Sequence, residues 1–157
     1  MKSNKIKLEE LLENNINKLG EDISVIKNVT FELNGLIMEM PFVTEVDQKE
    51  KKNLVKRIAD IYINATDNLV VVNSMSNEFN KKEVKEYIIK LNVYFNALSI
   101  LEYVLKTYVD HFTYKYNFDK DMHTFIGYYK KLASIISSFS TKYEKYVKYL
   151  GYEYYID

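Results

Sequence analysis

The chain has 157 residues, 47% of them hydrophobic and 28% charged, which is enough apolar material for a packed core and too much for wholesale disorder. Lys plus Arg equals Asp plus Glu at 22 each, so the strong basic excess expected of a protein wrapped around nucleic acid is absent. There is no cysteine, which removes disulfides, zinc–thiolate sites and thiol nucleophiles, and four glycines with one proline are too few for the many turns of a sandwich or barrel.

The first predicted helix runs near 5–40. Leu12, Ile16, Leu19, Ile23, Ile26, Thr30, Leu33, Ile37 and Met40 recur in alternating steps of four and three, the spacing of one helical face. Gly20 and Gly35 are candidate kink or break points, and Pro41 ends the run. A second helix near 44–79 opens on Thr44 as N-cap with Glu45 and Asp47 in the first turn, and carries Leu54, Ile58, Ile61, Ala65, Asn68, Val72, Met75 and Phe79. Asn80 followed by Glu83 reads as a capping box, with Phe79 and Val84 at the hydrophobic-staple positions.

The third helix, near 81–113, presents Val84, Ile88, Leu91, Phe95, Leu98, Glu102, Leu105, Val109 and Phe112. A parallel column of Tyr87, Tyr94, Leu101 and Tyr108 either widens its stripe, as suits a helix touching two neighbours, or makes an oligomer face. The fourth, near 119–150, presents Met122, Phe125, Tyr129, Leu132, Ile136, Phe139, Tyr143, Tyr146 and Leu150. Gly151 is the expected stop, followed by an aromatic tail, 151–157, in this tyrosine-rich chain. Matched lengths and short connections predict one all-α domain over 1–157, an antiparallel up-and-down four-helix bundle of long helices.

One segment supports a different class. Val29–Leu33, Asn34-Gly35 and Leu36–Met40 also fit a β-hairpin around the preferred Asn-Gly turn, and Leu69–Val72 fits a short strand. The alternative is therefore α+β with a 29–40 hairpin.

Polar residues inside the stripes are the candidate site. An unpartnered carboxylate at Glu102 would be costly in a core. Antiparallel counting across the Phe79–Asn80 turn puts Glu102 level with Arg57, the chain's single arginine, and across the next connection with Tyr129. The expectation is an Arg57–Glu102 pair joined by the Tyr129 hydroxyl near mid-bundle, with Asn68 as a second polar core residue. Such groups fix helix register or orient a small apolar ligand.

Catalytic and metal-binding patterns are missing. Neither His111 nor His123 has Glu three residues before it, as a bundle di-iron site requires, so no metal or cofactor is expected. Glu9, Glu10 and Glu13 resemble half of the carboxylate motif of all-α nucleotide pyrophosphatases, without the other half. No Gly-rich phosphate loop and no nucleophile elbow occur. The N-terminus has no apolar leader and no run reads as a membrane span, so the expected compartment is the cytoplasm. The preference for Lys, Asn, Ile and Tyr, residues with AT-rich codons, suggests a phage, a plasmid or an AT-rich bacterium.

The function expected is that of a non-enzymatic regulatory or inhibitory bundle working by protein–protein binding, to a partner or to its own copy. A small-molecule-sensing bundle around Arg57 and Glu102 is the second reading. An α+β nucleic-acid-processing enzyme is the third.

Overall fold

The computed structural model describes the backbone of residues 2–39, 48–115 and 120–156, and the side chains of 8–39, 49–111 and 123–142. Four long helices form: α1 (Lys2–Glu39), α2 (Gln48–Met75), α3 (Lys85–Lys115) and α4 (Lys120–Ile156). Two short 3-10 turns, Ser76–Glu78 and Lys82–Val84, carry the chain from α2 to α3. The described residues contain no strand, and the helix contacts are those of a four-helix bundle. Residues 29–39 belong to α1 and residues 69–72 to α2, so the hairpin, the short strand and the α+β alternative built on them are overturned. The physical reason is that the apolar stripe crosses both segments in helical phase, so a helix buries Val29, Leu33 and Val72 together with the rest of the seam.

α1 runs through Gly20 and Gly35 without a break, and no glycine takes a positive φ. A helix already anchored by Leu19, Ile26, Val29 and Leu33 holds these residues despite their poor propensity. α4 likewise continues past Gly151 to Ile156 instead of stopping there. Pro41, Thr44 and Asp47 lie outside the described residues. The Asn80 cap does not form: the N-cap position ahead of the second 3-10 turn is Lys81, with extended backbone and no side-chain cap bond. The staple residues Phe79 and Val84 are nevertheless both buried, and Lys81 pairs with Glu78.

Core formation follows the stripes closely. On α2 and the turn after it, all eight, from Leu54 to Phe79, are buried. On α3 the second column, Tyr87, Tyr94, Leu101 and Tyr108, is as deeply buried as the main seam. That column explains why Lys82–His111 contains the chain's one stretch of described residues long and apolar enough, by length and composition, to cross a membrane. α3 packs on both α1 and α4 and needs apolar side chains on two flanks.

Neighbour relations differ from chain order. α1 packs chiefly on α3, α3 on α4, α4 on α2, and α2 only lightly on α1. Tyr94 stacks edge-on against Phe139 and Tyr108 against Phe125, so α3 and α4 are antiparallel. Glu32 meets Arg57 and Asp22 meets Asn68, so α1 and α2 are antiparallel too. Along α1 and α3 the numbering rises together, from Gly20 beside Lys90 to Asn34 beside the groove that Val104 also lines, so these two run parallel. Directions alternate up and down, yet α2 and α3, consecutive in the chain, stand diagonally across the bundle.

Candidate functional site

The diagonal placement decides where the expected site residues go. Arg57 faces α1, not α3, and its guanidinium donates to Glu32 at 2.6 Å. The predicted Arg57–Glu102 pair is therefore corrected to Arg57–Glu32. Level counting placed Arg57 and Glu102 at similar heights, but it assumed that consecutive helices are lateral neighbours. Glu102 is half-buried on α3 and takes no part in the pair. Tyr129 is half-buried against the core, and no hydrogen bond joins it to Glu102 among the described residues. The adjacent Tyr128 instead lies 6.3 Å from Tyr62 of α2, and the Lys131 ammonium sits 5.2 Å from the Tyr128 ring and 5.5 Å from the Tyr62 ring. A cation over two ring faces ties α2 to α4 at their surface.

Asn68 does lie in the core, only 3% exposed, and it is the centre of a polar layer that sequence reasoning recovered only in part. Its side-chain nitrogen donates to Asp22 at 2.9 Å, while its oxygen accepts from the Lys18 ammonium at 2.8 Å. Lys18 also meets Asp22 at 3.3 Å, one helical turn away on α1. Asp22 is itself 8% exposed. The three side chains satisfy one another as a closed triangle across the α1–α2 interface, with the ammonium end of Lys18 reaching toward solvent. The Tyr94 hydroxyl approaches Asn68 from α3 without a hydrogen bond of good geometry. Burial raises its pKa, with the Asp22 carboxylate adding to the rise and Asn68 opposing it. Tyr87, seven residues earlier, is raised by burial alone.

Thr30, the remaining polar member of the α1 seam, donates to the Ile26 carbonyl at 2.7 Å and so adds no open polar group. Among the described residues no three His, Asp or Glu side chains gather closely enough to hold a metal ion. His111 and His123 are both exposed.

An exposed apolar surface lies elsewhere, on the outer side of the α1–α3 contact. There Lys27, Thr30, Phe31 and Asn34 of α1 face Val93, Asn96, Ile100 and Val104 of α3 across a groove of about 490 Å³, floored by Ile26 and Ala97. Phe31 is 80% exposed and Ile100 56% exposed, while Val93 is partly exposed. Such side chains would lower the free energy by leaving water, and they stand exposed in the bundle. The lining holds one cation, Lys27, and no carboxylate. The heptad stripes did not reveal this surface, because Phe31, Val93 and Ile100 fall beside the seam and not within it.

No family model matches the chain, and neither a curated protein nor a solved structure does.

Proposed function

We propose that this chain is a non-enzymatic helical-bundle protein, regulatory or inhibitory in role, which works in the cytoplasm by binding another protein. The observation that carries this reading is the α1–α3 groove with Phe31 standing 80% exposed at its edge. Large aromatic side chains on rigid helices make binding anchors because they bury much area with little loss of freedom. The polar layer at Asp22 and Asn68 is closed on itself, which suits a role in fixing how helices pack. The choice of AT-rich-codon residues fits a phage, plasmid or AT-rich bacterial source.

The test is photo-crosslinking. A benzophenone amino acid replaces Phe31 in one variant and Val70, an exposed residue of α2, in another, each produced in the cells that encode the protein. The expected result is a discrete adduct with one other protein from position 31 and none from position 70. That protein, once purified, should saturate the bundle at one-to-one stoichiometry. Equal adduct patterns from both positions, or adducts with the bundle alone, would overturn the proposal.

A further inference from the structure

We infer that the occupant of the α1–α3 groove is a single amphipathic α-helix of the partner, about three turns long, with a carboxylate placed against Lys27. This rests on the binding role proposed above and specifies its partner. Length is the first argument. On α3 the groove runs from Val93 to Val104, about 17 Å at the helical rise. Taken about two helix diameters wide, that strip offers on the order of 350 Å², well short of the roughly 800 Å² per partner that a stable globular interface or dimer buries. One short helix fits it, whereas a second bundle would leave most of its contact face unmatched.

Backbone chemistry is the second argument. The groove walls are two α-helices whose peptide groups are already paired within each helix, so no sheet edge is on offer. An extended peptide lying on Ile26, Phe31, Val93, Ala97 and Ile100 would bring unpaired N–H and C=O groups against apolar walls. A helix satisfies its own backbone and presents only side chains, spaced i, i+3 or i+4, and i+7.

Charge is the third argument. Among the described residues that line the groove, Lys27 is the only charged one; it is exposed, and no carboxylate there neutralises it. An acidic residue beside the apolar ridge of the incoming helix supplies the complement and sets its direction.

The experiment uses the full chain and a display library of 18-residue peptides, framed on alanine and glutamine to hold a helix, with one face randomised. The expected clones carry large apolar residues at i, i+3 or i+4, and i+7, together with Asp or Glu on one flank. Their affinity should fall by roughly thirtyfold or more on Phe31→Asp, as expected for a central aromatic anchor. Lys27→Glu should reverse the flank preference from acidic to basic by about two- to fivefold, the size of an exposed ion-pair effect. Lack of enrichment, binding that survives Phe31→Asp, proline-containing clones that bind as well, or no acidic preference would each overturn the inference. So would concentration-dependent dimerisation of the unmodified chain that Phe31→Asp abolishes, because the groove would then be filled by a second copy. A crosslinked partner that contacts position 31 through a non-helical surface overturns this inference and leaves the proposed function standing. Enriched helices without any partner adduct do the reverse.

Discussion

The interior layer at Asp22 and Asn68 and the outer groove at Phe31 invert the usual distribution of polarity. Charge lies inside the bundle, and an aromatic ring lies outside it. The two regions differ in closure. The Lys18, Asp22 and Asn68 side chains bond to one another through the Lys18 ammonium, Asp22 Oδ2 and the Asn68 amide, so the layer is held largely by its own members. The groove has largely apolar walls, and none of the described residues fills it. Residue type alone would rank the buried aspartate as the more suggestive of function. Satisfaction reverses that ranking: a closed polar set holds structure, and an open apolar set invites binding.

The sharpest way to break this comparison is to open the closed set. Asp22→Ala removes the acceptor of the Asn68 amide and the carboxylate partner of Lys18, and should cost about 2–4 kcal/mol in urea unfolding. Joint Asp22→Leu and Asn68→Leu replacement should recover most of that loss, because no buried amide then remains unpaired and the partly exposed Lys18 ammonium turns to solvent. Phe31→Asp, in the open set, should move stability by less than about 0.5 kcal/mol. A loss below about 1 kcal/mol for Asp22→Ala would mean that the triangle is not a closed unit.

A second effect sharpens the picture of the interior. Tyr87 and Tyr94 keep their protons in the folded state because burial disfavours the phenolate, whereas the unfolded chain ionises near the ordinary value of 10.0. With folded pKa values raised, their contribution is complete below about pH 10 and is lost as pH climbs above it. Melting temperature should therefore fall steeply from about pH 10 upward. The Tyr87→Phe, Tyr94→Phe double variant should show a shallower fall, with phenolate absorbance tracking the difference. Equal slopes for both proteins would show that these hydroxyls are not excluded from water.

The smallest expected effect tests the helix arrangement itself. A double-mutant cycle on Arg57→Gln and Glu32→Gln should give a coupling of roughly 0.5–1 kcal/mol, modest because both side chains retain substantial exposure. The same cycle with Glu102→Gln in place of Glu32→Gln should give a coupling near zero. The reverse outcome would place α2 beside α3.

Much of this architecture was legible in the chain. The alternation of threes and fours identified the buried face of each helix, and on α2 every member of the stripe, Asn68 included, entered the core. The column Tyr87, Tyr94, Leu101 and Tyr108 was compatible with a wider core or an oligomer face, and its burial between α1 and α4 decides for the core. Helix ends were less legible, since Gly151 and Asn80 are suited to caps that the surrounding chain does not use. The site was read least well. Asp22 belongs to a seven-residue column, Asn15, Asp22, Val29 and Leu36, running beside the main seam of α1. Attention to that column would have revealed a carboxylate at a semi-core position, although not its partner. Glu32 carried no such signal, because an exposed-looking glutamate on a helix flank is ordinary.

Periodicity by itself pointed to an all-helical bundle and marked which side chains its helices bury, because those properties follow from local geometry at 3.6 residues per turn. The structure excluded the 29–40 hairpin and showed α1 to be unbroken. Only the tertiary structure decided which helices are neighbours. A stripe records the face a helix turns inward and says nothing of what it meets there, and residues 76–84 are long enough to carry the chain across the bundle's diagonal. That single choice gives Arg57 to Glu32, closes the layer around Asn68, and leaves parallel α1 and α3 with an uncovered groove between them.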